Sequence, residues 1–199
     1  THGKCYTIFN LICGDVNKIM KHKKQAYIRS MAMIAMCTSV IIISAWIAIP
    51  FAVNITMQLA AIFVVSLLFE LKTSLISILL YIFIGICGLP VFSGYNSGLS
   101  ALLGPSGGFI ISFIFIPPVI TIFKKTKKSI KVMSVFAMLL CLIICYFVGT
   151  LWYWKIYANN SNIRMFDAFA VCVLPFIVPD LLKILLSSIV SSKLYKHIK

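Results

Sequence analysis

The sequence Gly88-Leu-Pro-Val-Phe-Ser-Gly-Tyr-Asn-Ser-Gly-Leu-Ser-Ala-Leu-Leu-Gly-Pro-Ser-Gly-Gly108 separates two apolar runs and differs from both in composition. It contains six glycines and two prolines in 21 residues and carries no charge. Glycine allows positive φ and close approach of other groups, whereas proline fixes φ and lacks an N–H donor. In a membrane protein such irregular backbone lies at the surface or beside a cavity. This stretch, which we name the glycine-rich loop, is therefore predicted to cover a neutral, partly apolar ligand.

The composition of the chain is that of an integral membrane protein. Of its 199 residues, 61% are hydrophobic and only 11% are charged, whereas soluble domains are about half apolar and about a quarter charged. The apolar runs are continuous instead of alternating, which indicates helices rather than a barrel. We therefore predict an all-α integral membrane protein with one domain and six transmembrane helices.

Six apolar segments are expected to cross the membrane, approximately residues 28–50, 55–69, 73–87, 108–123, 132–154 and 166–190. The second and third are each about 15 residues long, shorter than the roughly 20 that cross a bilayer perpendicularly. Glu70-Leu-Lys72 parts these two segments. Pro117-Pro118 is expected to kink or end the fourth segment, and Pro175 and Pro179 are expected to interrupt the sixth.

The basic residues lie at the ends of the apolar segments. The formal net charge is +14, and 15 of the 18 lysines and arginines fall on one side when both termini are cytoplasmic. By the positive-inside rule this bias sets the orientation and places the glycine-rich loop outside. Membrane lipid is the expected partner of this charge. Nucleic acid is excluded, because no basic stripe interleaved with aromatic residues is present.

The chain divides into three predicted parts. Residues 1–27 form a polar basic segment, of which 1–19 are expected to be an extension. Residues 28–192 form the membrane domain, and residues 193–199 form a basic cytoplasmic tail.

Asp180 and Lys183 lie inside the sixth segment. Ionisable side chains are costly there and usually face a cavity or a counter-charge. A spacing of three residues puts both on one helical face. The pair either neutralises itself and fixes helix packing, or forms the polar part of a binding site. In a site, Lys183 suits a carboxylate and Asp180 suits N–H donors.

Six further side chains near the external ends of the segments are candidates for ligand contact: Thr56, Gln58, Phe92, Tyr95, Asn96 and Trp152. For Asn96 the alternative is a turn residue, and for Thr56 and Gln58 it is helix capping. For Trp152 the alternative is an interfacial aromatic belt.

Catalysis is not predicted. The three histidines, His2, His22 and His197, are near the termini, and no Ser/His/Asp or paired-carboxylate arrangement can be assembled at the external loop. The seven cysteines form no CxxC or Cys/His pattern with metal-ligand spacing. No Walker A pattern is present, so ATP-driven transport needs another subunit. We therefore predict neither an enzyme nor a metal or cofactor site.

Five motifs carry a family resemblance: Ile55-Thr-Met-Gln58, Gly88-Leu-Pro-Val-Phe92, Leu103-Gly-Pro-Ser-Gly-Gly108, Gly149-Thr-Leu-Trp152, and Leu174-Pro-Phe176 leading to Pro179-Asp-Leu-Leu-Lys183. Together they resemble the BioY family, the biotin-specific substrate-binding (S) components of energy-coupling factor (ECF) transporters. The resemblance implies six helices in a bacterial plasma membrane and capture of biotin from outside. It also implies partners: a transmembrane T component and two ATP-binding subunits. The proline usual before the first motif is Asn54 here.

The resemblance implies a ligand site at Asn96, Asp180 and Lys183. Biotin has a ureido ring with two N–H donors and a carbonyl, an apolar bicycle and chain, and a carboxylate. Asp180 and Asn96 are expected to hold the ureido group, and Lys183 either balances buried charge or meets the carboxylate. The apolar parts are expected to contact aromatic side chains, namely those of Phe92, Tyr95 and Trp152.

Three other functions fit the same residues. An S component for a different vitamin would show competition of bound biotin by thiamine or riboflavin. A membrane enzyme using Asp180 would turn over lipid. A structural subunit without a ligand would show no thermal stabilisation by any vitamin, since a ligand of the native state raises stability by mass action.

Overall fold

The computed structural model describes residues 2–50, 53–124, 130–158 and 164–198, and these are mostly helical. The described ranges contain nine α-helices: α1 His2–Trp46, α2 Gln58–Leu68, α3 Leu71–Ile86, α4 Gly98–Leu103, α5 Gly107–Ser112, α6 Ile116–Lys124, α7 Ile130–Ala158, α8 Met165–Val173 and α9 Ile177–Ile198. Between α1 and α2, strands β1 (Ala48–Ile49) and β2 (Ile55–Thr56) pair as a short antiparallel hairpin.

Four stretches of the described residues are long and apolar enough to cross a membrane: Lys24–Trp46, Gly107–Lys124, Met133–Ile156 and Met165–Leu194. Helices α2 and α3 are apolar but have only 11 and 16 residues, as expected for the second and third segments. They separate at Phe69 and Glu70, which precede the first residue of α3. The predicted class, a helical integral membrane protein, is confirmed.

Helix α1 continues through the predicted boundary at residue 27 without a break. The candidate span within it begins at Lys24, close to the predicted start of the first segment. Lys125, Lys127 and Lys128, which were counted in the cytoplasmic charge, lie outside the described residues.

The fourth and sixth segments are each interrupted by a 3-10 turn. One turn, Phe113–Phe115, lies between α5 and α6, and the other, Leu174–Phe176, lies between α8 and α9. The interruption expected at Pro175 is confirmed, whereas Pro179 does not interrupt the segment because it lies in the first turn of α9. The first amides of a helix have no partner within it, so a proline there removes no hydrogen bond.

Hydroxyl side chains bond the backbone carbonyls of neighbouring helices. The Ser187 hydroxyl of α9 donates to the Ala60 carbonyl of α2 over 3.1 Å, and both residues are buried. The Thr38 hydroxyl of α1 similarly donates to the Ser77 carbonyl of α3 over 3.2 Å. Small residues let membrane helices approach closely, and their hydroxyls then bond across the interface. Helices α2 and α9 are therefore held together close to the candidate site residues, because Ala60 is two residues after Gln58 and Ser187 is one helical turn after Lys183.

The glycine-rich loop is irregular only in part, because it contains a 3-10 turn at Ser93–Tyr95, the short helix α4 and the first two residues of α5. It uses glycine in two ways. Gly88, Gly94 and Gly98 have φ of 97°, 70° and 79°, where a residue with a Cβ atom is strained. Gly108 instead has a close neighbour, since a Cβ atom there would overlap the Cβ of Trp152 on α7. The loop is thus folded tightly back onto α7.

Candidate functional site

A cavity lies where the β1–β2 hairpin, the glycine-rich loop, α5, α7 and the first turns of α2 and α9 meet. Its volume is about 60 Å³, above the roughly 10–15 Å³ that one water molecule needs and below the roughly 300 Å³ of a pocket for a drug-sized ligand. Its polar side chains are Asn54, Thr56, Gln58, Ser93, Ser106, Tyr146, Asp180 and Lys183, and its apolar wall includes Phe109, Phe113 and Phe176. An apolar wall with a few converging polar groups is typical of a small-molecule site.

Asp180 and Lys183 form a buried ion pair in the wall of this cavity. The Lys183 Nζ lies 2.6 Å from Asp180 Oδ1, and the two side chains are 6% and 4% exposed. The Tyr146 hydroxyl of α7 donates to Asp180 Oδ2 over 2.8 Å. Asp180 also lies in the first turn of α9, where the helix dipole favours a negative charge. The carboxylate is therefore held through both oxygens, while the Lys183 ammonium has three donors, one of which bonds Asp180.

Thr56 and Gln58 also line the cavity, from β2 and the start of α2. The N-cap position of α2 is Met57, which makes no side-chain capping bond. Gln58 is 3% exposed and lies beside the hydroxyl of Tyr81. Within the described part of the chain, however, neither Gln58 Nε2 nor that hydroxyl makes a hydrogen bond of acceptable geometry.

The Ser93 hydroxyl, in the glycine-rich loop, is another buried polar atom that faces the cavity without a partner among the described residues. A buried polar group without a partner costs about 1–3 kcal/mol. Gln58 and Ser93 therefore supply hydrogen-bonding capacity that a polar ligand can use.

The remaining four predicted residues lie outside the cavity wall. Asn96 is exposed, and its Nδ2 donates to the Ser93 carbonyl over 2.9 Å, which is the turn role considered above. Tyr95 is 65% exposed and lies against Trp46 with ring centroids 5.6 Å apart. Both side chains belong to the outer surface of the glycine-rich loop.

Phe92 and Trp152 hold this loop in place. Phe92 is 1% exposed and makes an edge contact with Tyr81, with centroids 5.5 Å apart. Trp152 Nε1 donates to the Gly104 carbonyl over 3.1 Å. The structure thus brings Thr56, Gln58, Asp180 and Lys183 together in the cavity. Phe92 and Tyr95 lie in the glycine-rich loop and Trp152 lies against it. We call this loop and the β1–β2 hairpin together the cover of the cavity.

Sequence reasoning missed Tyr146. Its signal was present, because a carboxylate buried in the membrane needs donors and Tyr146 is the tyrosine in the middle of the fifth apolar segment. Ser93 and Ser106 were missed as individuals, although both belong to the glycine-rich loop that was predicted to lie over a ligand.

The fold and the cavity together define a class: helical membrane proteins that hold a small solute in a partly buried site containing an ion pair. The sequence model of the BioY family matches residues 18–199. The chain is 30% identical to the probable biotin transporter BioY of Pyrococcus horikoshii, with 83% of this chain and 96% of that protein covered. It is 28% identical to the biotin transporter BioY of Thermotoga maritima, with 80% and 91% covered.

A solved structure has the same fold. It is the crystal structure at 2.1 Å of the S-component for biotin from an ECF-type ABC transporter. The TM-score is 0.76 and the identity 28%, over 86% of this chain and 93% of that one. The chain belongs to the BioY family, and the resemblance inferred from its motifs is confirmed.

Proposed function

We propose that this chain is the biotin-binding substrate-specificity subunit of an ECF-type vitamin transporter in a bacterial cell membrane. Biotin is then its transported ligand rather than a cofactor, and the chain is not an enzyme. The observation that carries the proposal is the buried Asp180–Lys183 pair in the cavity wall of a BioY-family protein.

The polar groups of the cavity match those of biotin. Asp180 Oδ1 and Oδ2 each accept one bond within the protein, and a carboxylate oxygen has a second lone pair for a ureido N–H. Lys183 keeps donors for an acceptor oxygen of the ligand. Gln58 and Ser93 supply the remaining polar contacts, and Phe109, Phe113 and Phe176 pack on apolar atoms.

Binding requires the cover to move. The cavity volume of about 60 Å³ is too small for a vitamin, for which pockets of roughly 300 Å³ or more are usual. We infer that the β1–β2 hairpin and the glycine-rich loop swing outward to admit biotin and then close on it. This motion is the means by which Phe92, Tyr95 and Asn96 of the glycine-rich loop would reach the ligand. It would also uncover Trp152 of α7, whose indole N–H bonds the Gly104 carbonyl of that loop.

The proposed topology has six spans, with α2 and α3 as short ones and both termini cytoplasmic. One contact supports it: Lys124 Nζ at the end of α6 donates to the carbonyls of Ser66 over 2.6 Å and of Phe69 over 3.2 Å. The end of α6 and the α2–α3 connection therefore share a side. By the positive-inside rule this lysine-rich side is cytoplasmic, and there the chain would meet a T component and two ATP-binding subunits.

The experiment that tests this function is calorimetric titration of the purified protein with biotin, thiamine and riboflavin. The variant is Asp180→Asn/Lys183→Gln, because removing one partner alone leaves a buried charge unpaired. Hydrogen bonds to charged groups are worth about 1.5–3 kcal/mol, so biotin affinity is expected to fall by about 100-fold or more.

The matched control is Asp167→Asn/Lys193→Gln, which removes an exposed charge of each sign and is expected to leave biotin affinity unchanged. Thermal unfolding of both variants confirms that they are folded. Absence of biotin binding by the unaltered chain, or tighter binding of another vitamin, would contradict the proposal.

A further inference from the structure

A second cavity lies between α7 and α8, on the far side of Tyr146 from Asp180. Along α7 the side chains of Ile143, Phe147 and Leu151, spaced by four residues, form one wall. Residues three or four apart share a helical face, so these three make a continuous apolar stripe. We call the cavity between this stripe and α8 the α7–α8 cleft.

The facing wall comes from Met165, Phe169 and Val173 of α8, which have the same spacing of four. The cleft has a volume of about 330 Å³, which is larger than the candidate ligand cavity. Phe147 is 64% exposed and Phe169 is 46% exposed. Because α7 and α8 both belong to candidate membrane spans, the cleft opens sideways to lipid.

The Thr150 hydroxyl is a buried polar group in the wall of the cleft. Thr150 lines the cleft and is 5% exposed, and its Oγ1 has no hydrogen-bond partner among the described residues. A helical threonine usually bonds the carbonyl four residues earlier, and Thr150 does not. Its hydroxyl is therefore a buried donor inside an otherwise apolar cleft, and it can serve a carbonyl oxygen of an occupant.

Two cations lie at one end of the cleft. Lys155 is one helical turn beyond Leu151 on the same face of α7, and Arg164 directly precedes Met165 at the start of α8. Both are exposed, and both lie at the ends of the candidate spans. Asp167 accepts a bond from the Arg164 backbone N–H over 3.3 Å, so the three charges leave this end with a net positive charge of one.

The order of these groups along the cleft is cation, hydroxyl and apolar wall, which is the order of phosphate, ester carbonyl and acyl chain in a glycerophospholipid. Thr150 and Lys155 are five residues apart, about 7.5 Å along a helix, and the wall from Leu151 to Ile143 is about 12 Å long. One leaflet of the hydrocarbon core is about 15 Å thick. We propose that the α7–α8 cleft binds one glycerophospholipid, with its acyl chain between the two apolar stripes, its ester carbonyl at Thr150 and its phosphate at Lys155 and Arg164.

The test is native mass spectrometry of the full chain, delipidated in detergent and titrated with phosphatidylglycerol or phosphatidylcholine. One saturable adduct is expected, several-fold stronger for phosphatidylglycerol, because each basic residue near the membrane surface contributes about 1 kcal/mol toward an anionic headgroup. Lys155→Gln/Arg164→Gln should weaken the phosphatidylglycerol adduct about 30-fold, because it removes two such contributions. The matched control, Lys72→Gln/Lys193→Gln, removes two exposed cations elsewhere and should not.

Two further variants test the cleft itself. Thr150→Val should weaken both adducts about threefold, as for loss of one neutral hydrogen bond. Ile143→Trp, which fills the deep end, should abolish the adduct for both headgroups, whereas Leu185→Trp on the lipid-facing side of α9 should retain it.

The proposal is overturned by adducts that are unsaturable or equal in all variants. It is also overturned by a dimer of this chain that only Ile143→Trp disrupts, which would assign the cleft to a second copy. None of these readouts uses biotin, so they are independent of the proposed transport function.

Discussion

At the scale of single residues, the site is organised by the cost of burying charge. Asp180 and Lys183 were predictable from sequence because two ionisable side chains three residues apart in an apolar segment have few alternatives to pairing beside a cavity. Tyr146 was only partly predictable, since the need of a buried carboxylate for donors was visible but the fifth apolar segment contains two tyrosines, Tyr146 and Tyr153, and the sequence does not reveal which of them meets Asp180. Asn96 was predicted at the ligand, yet its amide satisfies the Ser93 carbonyl of its own turn, and sequence alone does not show which of the two partners prevails.

Tyr146→Phe is the sharpest test of how Asp180 is held. Losing the hydroxyl removes the 2.8 Å bond to Oδ2, and bonds to charged groups are worth about 1.5–3 kcal/mol. Biotin affinity is therefore expected to fall by about tenfold or more, as measured by calorimetry, with the protein still folded. The control is Tyr27→Phe on the exposed surface of α1. Equal affinity in Tyr146→Phe and the unaltered chain would show that this hydroxyl has no part in binding.

At the scale of elements, the conformation of the glycine-rich loop depends on positive φ angles, which its glycine content predicts. The positive φ of Gly88 and Gly94 is what a glycine-dense sequence predicts. The packing of Gly108 on Trp152 was not predictable, because it depends on where α7 runs. Similarly, Pro175 breaks its segment and Pro179 does not, since the effect of a proline depends on whether it lies within a helix or in its first turn.

Gly108→Ala tests the attachment of this loop to α7. The added Cβ overlaps that of Trp152, and overpacking typically costs about 1–3 kcal/mol. The midpoint temperature of unfolding is expected to fall, and biotin affinity to fall with it because the cover is displaced. Ser100→Ala, at an exposed position of the same loop, serves as the control. A Gly108→Ala protein with unaltered melting temperature would mean that the loop does not pack on α7 in this way.

At the scale of the whole molecule, the fold class followed directly from composition, whereas the position of the helices relative to one another did not. Four candidate spans and two short apolar helices are present in the described ranges, in the order that the apolar runs predict. The charge distribution predicts an orientation with Cys87 and the glycine-rich loop outside and Lys193 inside.

Labelling with a membrane-impermeant maleimide on intact cells tests the orientation. Cys87 is exposed, whereas Cys37, Cys141, Cys145 and Cys172 are buried, so we expect labelling from outside that Cys87→Ser abolishes. Cys5→Ser and Cys13→Ser in all samples remove the two N-terminal thiols. A Lys193→Cys substitution added to Cys87→Ser should label only after the cells are permeabilised. Labelling of Lys193→Cys in intact cells would reverse the proposed topology.

The bond from Ser187 to the Ala60 carbonyl joins the two helices that carry Gln58 and the ion pair. We therefore expect α2 and α9, on one side of the cavity, to move as one rigid unit. The opposite side consists of the β1–β2 hairpin and the glycine-rich loop, which are attached at their ends. Amide exchange should accordingly be slow in α2 and α9 and fast in the cover, and vitamin should suppress it mainly in the cover. The association rate of biotin would then be governed by how often the hairpin and the glycine-rich loop open. The polar groups on α2 and α9 would already be in position when biotin enters.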